Sequence, residues 1–206
     1  MTTMAGTQSP WDLEYRRTPE SYVWGTEPSA LAVELAGRVP AGARVIDLGC
    51  GEGRDSVFFA QRGLRVTGVE ASAAGLRKAE RLAADRGVQV RWIESVLPAL
   101  PPLGTFDLVY SCGSIHYVPR RERPQLFARL RALTARGGLQ AHIVFTDRQI
   151  YEERGERIEY FMPGELAGVF APDEVLRREE RLIECRQDGR AHHHSVEVLL
   201  AAPRIG

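Results

Sequence analysis

Val45-Ile46-Asp47-Leu48-Gly49-Cys50-Gly51-Glu52-Gly53-Arg54 packs an apolar run, a carboxylate and three closely spaced glycines into one short stretch. Arg44 to Leu48 has the length and apolar content of a buried strand. The glycines let the backbone turn tightly and come close to a ligand. The helix expected from Asp55 to Arg62 offers free N–H groups at its start. Working outward, further strands are expected at Leu64–Val69, Val88–Ile93, Phe106–Tyr110 and Leu139–Phe145. Helices are expected at Pro28–Gly37, Ala73–Arg86 and Arg121–Thr134. Strands alternating with helices in this way signal βαβ units and a parallel sheet covered on both faces. The tail differs. Arg181–Arg186 and Ser195–Ala201 are strand-like, and Asp188-Gly189 between them is a turn signal, so an antiparallel hairpin is expected at one sheet edge.

The glycine-rich turn departs from the dinucleotide pattern, because Arg54 stands where the last glycine of G-x-G-x-x-G belongs. Asp47 adds a negative charge at the carboxyl end of the strand, which would repel a pyrophosphate and attract an ammonium group. Glu70 ends the second strand, where a carboxylate can accept hydrogen bonds from both ribose hydroxyls. The ligand implied is a nucleoside that carries a cation and no phosphate. S-adenosylmethionine meets that description.

Composition narrows the function further. The 206 residues include 27 basic and 27 acidic side chains, giving a formal charge of zero and no basic excess for gripping nucleic-acid phosphates. No apolar stretch approaches the roughly 18 residues of a spanning helix. Met1 to Pro10 has neither a basic nor an apolar leader region, so no secretory signal is expected. Cys50, Cys112 and Cys185 are odd in number and widely spaced, which suits a reducing cytoplasm. A single domain over residues 1–206 is expected, as a monomer or homodimer, with neither nucleic acid nor membrane as partner.

The chain resembles the class I S-adenosylmethionine-dependent methyltransferases, and within them the small tellurite-resistance and thiopurine-type groups. The carrying residues are Tyr22–Pro28 (YVWGTEP), Val45–Ser56 (VIDLGCGEGRDS), Gly68–Ser72 (GVEAS), Phe106–Ser111 (FDLVYS) and Gly137-Gly138-Leu139. The resemblance implies a Rossmann-like, doubly wound α/β fold. Its seven-stranded sheet is mostly parallel, with an antiparallel strand in the C-terminal hairpin. It also implies that Asp47, Gly49 and Gly51 line the methionine part of S-adenosylmethionine, with Cys50, Arg54, Ala71 and Ser72 beside them. Glu70 would hold the ribose. Glu94, Ser95 and Val96 would flank adenine, and Ser111 would close the methionine side. The product would be S-adenosylhomocysteine.

A methyl acceptor must sit roughly 3–3.5 Å from the methyl carbon, in line with the departing sulfur. His116, in the stretch after the fourth strand, is the candidate base or acceptor-positioning group, since an ordinary imidazole titrates near pH 6.5. Tyr117 is expected as pocket wall. The aromatic Trp11–Trp24 segment, within an N-terminal stretch 1–30, is expected to act as a lid, with Trp24 facing the sulfonium through cation–π attraction. Residues 146–175, with Tyr151, Tyr160, Phe161 and Glu165, are expected as a substrate-covering insertion. Alternation puts His192 and His194 on one strand face, with Cys185 across the hairpin, but no C-x-x-C or H-x-x-x-H spacing supports a closed zinc site, so no metal is expected. Arg177-Arg178-Glu179-Glu180-Arg181 is expected as a solvated charge run. The function implied is methyl transfer to a small-molecule acceptor, a thiol or chalcogen or a metabolite hydroxyl or amine. The alternative is a non-catalytic S-adenosylmethionine or S-adenosylhomocysteine-binding sensor or accessory protein.

Overall fold

The computed structural model describes residues 10–148, 158–185 and 191–204. The expected Asp188-Gly189 turn and Tyr151 lie outside them. The first central strand, β1 (Arg44–Leu48), has Val45, Ile46 and Leu48 fully buried, as a strand covered on both faces must be. It pairs in parallel with β2 (Arg65–Glu70) on one side and β4 (Phe106–Cys112) on the other. Adding β3 (Arg91–Glu94), β5 (Thr134–Phe145), β6 (Glu174–Cys185) and β7 (His192–Ala202) gives the sheet order β3-β2-β1-β4-β5-β7-β6. Among the described strands only β7 runs antiparallel, to both of its neighbours. The order reverses between β1 and β4. In doubly wound sheets, a crevice opens at such a switch point, beyond the carboxyl ends of the strands.

Among the described residues six α-helices flank the strands: α1 (Pro10–Arg17), α2 (Ala30–Ala36), α3 (Arg54–Gln61), α4 (Ala73–Asp85), α5 (Arg123–Leu133) and α6 (Glu165–Val169). Successive strand residues feed opposite faces. Val45, Leu108, Val198 and Leu200 join Leu31, Leu35 and Phe59 on the α2/α3 side. Ile46, Val109 and Leu199 join Leu126, Phe127, Leu130, Leu166 and Phe170 on the α5/α6 side. On that second side Phe127 makes edge-to-face contacts with Phe161 at 6.4 Å and Phe170 at 5.7 Å. Such pairs add about 1 kcal/mol each beyond the area they bury.

Three local expectations change. β5 starts at Thr134 instead of Leu139, because Gly137, at φ 75°, lets the chain bend within the strand while its register against β4 shifts between Phe106 and Leu108. α2 starts at Ala30, after Ser29 accepts a hydrogen bond from Ala32 N at 3.1 Å as its N-cap. The charge run 177–181 is part of the edge strand β6. Two of its arginines are paired across elements, Arg177 with Glu34 and Arg178 with the buried Glu197 at 3.0 Å. Glu197 in turn accepts from Gly164 N and Ala167 N at the start of α6, so this carboxylate joins the edge strand to the helix.

Candidate cofactor and acceptor site

A cavity of about 760 Å³ opens at the switch point. Its inner end is built from the stretch that decided the fold. Gly49 N and Cys50 N both donate to Val69 O, at 2.8 and 3.0 Å, which folds the glycine turn back over β2. Gly49 has φ 71°, and a Cβ placed there would fall 2.3 Å from Ser114 Cβ. Gly51 has φ 55°, and its added Cβ would stand 2.9 Å from Tyr15 Oη. Only glycine fits this cradle without strain.

Carboxylates converge on the same end. Glu70 accepts from Gly51 N at 3.0 Å and Ser72 N at 2.9 Å. A carboxylate has about four acceptor positions, so capacity is left for a ribose diol. Burial lifts the Glu70 carboxyl above its ordinary pKa, against the pull of those N–H groups. Asp47 is 3% exposed and accepts from Ser56 Oγ at 2.6 Å. Its pKa is pushed up to about 7, first by burial and then by the charge of Asp55. Asp55 is held by Tyr110 Oη and Ser29 N, both at 2.7 Å, with Arg54 Nε 3.7 Å away. Two buried carboxylates with so little compensating cation fit a ligand that brings a positive charge.

The other wall comes from the N-terminal segment. Glu52 pairs with the buried Lys78 and accepts from Val23 N and Trp24 N, both at 3.1 Å. Arg54 Nη1 donates to Trp24 O at 3.2 Å. Trp24 is thereby fixed over the cavity, with Trp11 at 5.2 Å between ring centroids and Tyr117 edge-on to Trp11 at 6.2 Å. The outer end continues through Ile143, Phe145, Ile183 and Arg181.

Of the residues expected from sequence, Trp24, Asp47, Gly49, Cys50, Gly51, Arg54, Glu70, Ala71, Ser95, Val96 and Tyr117 line the cavity. Four do not. Ser72 is spent as the N-cap of α4 and donates to Asp12 at 2.6 Å. Glu94 points to solvent from β3. Ser111 is turned under the sheet, 2.9 Å from His142 Nδ1, in a buried chain that runs on to Gln140 and Thr134. His116 is corrected as well. It is 1% exposed and stacks on Phe145 at 4.2 Å, and its Nδ1 accepts from Phe145 N at 3.3 Å. Burial first, then the nearby Arg123 charge, lowers its pKa to about 3, so the ring stays neutral beneath the cavity wall.

Sequence reasoning expected Trp11 and Tyr15 only as part of the aromatic lid segment, without a role of their own, and missed Glu52, Phe145, Ile183 and Arg181. Only Glu52 carried a local signal, as the acid inside the glycine turn. Of residues 146–175, none that is described lines the cavity. Tyr160, Phe161, Leu166 and Phe170 pack inward instead. Among the described residues no helix is long and apolar enough to cross a membrane.

The comparisons with known proteins agree with this geometry. A family model described as a methyltransferase domain matches residues 45–138. Trans-aconitate 2-methyltransferase of Paracidovorax citrulli is 41% identical over 123 residues, which is 57% of this chain and 45% of that protein. The chain spans about half the length of the curated relatives it matches. Among solved structures, TehB from Haemophilus influenzae superimposes with a TM-score of 0.75 at 18% identity, over 85% of this chain and 62% of that one. The N-methyltransferase NodS from Bradyrhizobium japonicum, in complex with S-adenosylhomocysteine, gives 0.73 at 11% identity over 96% and 100%. With Asp47 in an apolar strand, a glycine cradle and this sheet order, residues 45–138 match a methyltransferase-domain model in sequence, and the described chain shares the fold of these solved methyltransferases.

Proposed function

We propose that this protein transfers a methyl group from S-adenosylmethionine to a small acceptor that combines an apolar body with an anionic sulfur or oxygen group. The observation that carries the reading is the asymmetry of one cavity. Its inner end is anionic and backbone-lined. Its outer end is aromatic and aliphatic, with Arg181 facing in from the hairpin and Glu122 beside Val118 and Pro119. Arg181 Nε is buried without a hydrogen-bond partner, a donor that an anionic acceptor would satisfy. S-adenosylmethionine supplies an electrophilic methyl group on a sulfonium. Asp47 would hold the positive end of that ligand, Glu70 the ribose, and Ser95 with Val96 the adenine edge.

The remaining work belongs to the walls. Methyl transfer neutralises charge, so a dry site favours it, and Trp11, Trp24, Tyr117 and Phe145 exclude water from the junction of the two ends. With His116 buried, no imidazole faces the acceptor from this stretch. An acceptor that arrives ionised needs only positioning.

Calorimetric titration with S-adenosylhomocysteine, with NAD run beside it, tests the cofactor. Micromolar binding of the nucleoside alone is expected, and tighter NAD binding would overturn the reading. A mass-shift screen of thiols, carboxylates, hydroxyls and amines then tests the acceptor. Methylation confined to neutral amines or alcohols would overturn the anionic class.

A further inference from the structure

We propose that Cys185, His192 and His194 form a three-ligand site for a zinc-class divalent cation beside the acceptor end of the cavity. The register of the β6/β7 hairpin sets Cys185 opposite His192 and Ile183 opposite His194. Directly paired residues share a face, and residues two apart in a strand share it too. Cys185, His192 and His194 therefore project to the face that carries Ile183 and Arg181, both of which line the cavity. One donor atom from each of the three lies within 4.8 Å of the other two. The two imidazoles stand at 86° to each other, with their Nε2 atoms 2.9 Å apart.

Those distances suit a common ion. Tetrahedral ligation with metal–nitrogen bonds of about 2.0–2.1 Å sets two nitrogens about 3.3 Å apart, and a sulfur ligand about 3.5 Å from each. Small side-chain rotations close the difference. One thiolate and two imidazoles are a donor set for zinc, or for cobalt(II) as its spectroscopic substitute, and a poor one for magnesium or calcium. Three protein donors leave a fourth tetrahedral position open, as catalytic zinc sites do.

The ring of His194 is 1% exposed and stacks on Phe145 at 4.2 Å, and Phe145 itself lines the cavity. This packing holds one ligand in place before any ion arrives. The open position is thereby set close to the outer end, where it would take the anionic sulfur or oxygen of the acceptor. That last role rests on the methyl-transfer reading. Ion binding does not.

The test is a cobalt(II) titration of the reduced 206-residue chain, followed in the visible and near ultraviolet. Tetrahedral ligand-field bands with a thiolate charge-transfer band, saturating near one equivalent and erased by zinc, are expected. Cys185→Ser should remove the charge-transfer band. Both Cys185→Ser and His192→Gln should weaken cobalt binding by at least about 10–100-fold, the cost of losing even a hydrogen-bonding partner of a ligand. His193→Gln, altered on the opposite face, should bind as the parent does. Absence of the bands in the parent chain, or an unchanged charge-transfer band in Cys185→Ser, overturns the site. Should a variant fail to fold, zinc displacement from the parent's thiolate band decides alone. S-adenosylhomocysteine titration of the same samples separates the two readings. Nucleoside binding without cobalt bands removes only the metal site. Cobalt bands without nucleoside binding keep the site and remove the methyl-transfer reading.

Discussion

The two ends of the cavity are held by different physics. The inner end is fixed by backbone. Gly49 N and Cys50 N are bonded to Val69 O, Gly51 N and Ser72 N to Glu70, and the carboxylates stand at strand ends. The outer end is fixed by side chains from four separated parts of the chain, Trp11, Tyr117, Phe145 and Arg181. A backbone-built end tolerates almost no substitution and fixes one ligand. A side-chain-built end can be re-cut one residue at a time, which suits the part of a transferase that selects among acceptors.

The sharpest break of this contrast is Gly49→Ala. The added Cβ meets Ser114 and the residue keeps φ 71°. S-adenosylhomocysteine affinity should fall at least about 100-fold and unfolding stability by about 2 kcal/mol, as backbone strain and overpacking at one position would give. Titration calorimetry and chemical denaturation read both. Near-parent affinity would mean that the inner end is softer than its hydrogen bonds imply.

Glu70→Ala comes next. It removes the proposed ribose acceptor and uncaps Gly51 N and Ser72 N, and an affinity loss of about tenfold or more is expected from lost charge-assisted hydrogen bonds. A change of less than about twofold would reassign the ribose.

Asp47 sharpens the contrast through pH. Its pKa rises from 3.8 unfolded to about 7 folded, so between those values the cofactor-free protein holds more protons than the unfolded chain. Stability from this group therefore declines as pH climbs through that window. A cationic ligand favours the ionised form, so S-adenosylmethionine affinity should strengthen over the same rise. Asp47→Asn should flatten both trends, as denaturation and titration series between pH 5 and about 8 would show.

Smaller effects belong to the outer end. Arg181→Met should leave S-adenosylhomocysteine affinity within about twofold while raising the acceptor KM about tenfold, the signature of lost uniform binding. A fall in kcat at constant KM would give Arg181 a place in the transition state instead. The smallest effect is expected from His116→Asn, with turnover within about twofold of the parent, since the amide oxygen can still accept from Phe145 N while the imidazole is removed. A large loss of turnover would return His116 to the chemistry.

The inner end was legible because its residues are contiguous. One strand, one glycine turn and the next strand end carry it, and β1 was read to the residue. Ser72 and Ser111 show the limit of that reading. Both sit beside true lining residues, yet strand alternation turns Ser111 away and helix capping consumes Ser72. The outer end was legible only as types of residue. Nothing local announces that Phe145 and Arg181 share a wall, because the sheet order that joins them places β7 between β5 and β6. The segment 146–175 differs from expectation for a related reason: among its described aromatics Phe161 and Phe170 pack on the α5/α6 side of the core and Tyr160 on the α2/α3 side.

That sheet order also sets a schedule for folding. β6 precedes β7 in the chain but is bonded to the sheet only through it. During synthesis β6 therefore emerges with no edge to join, and stays unpaired until β7 has followed it and inserted beside β5. The glycine cradle, built from β1 and β2, can form well before this. A chain stalled between the two strands would hold a finished glycine cradle facing an absent wall, with the hydrophobic edge of β5 open to any passing strand.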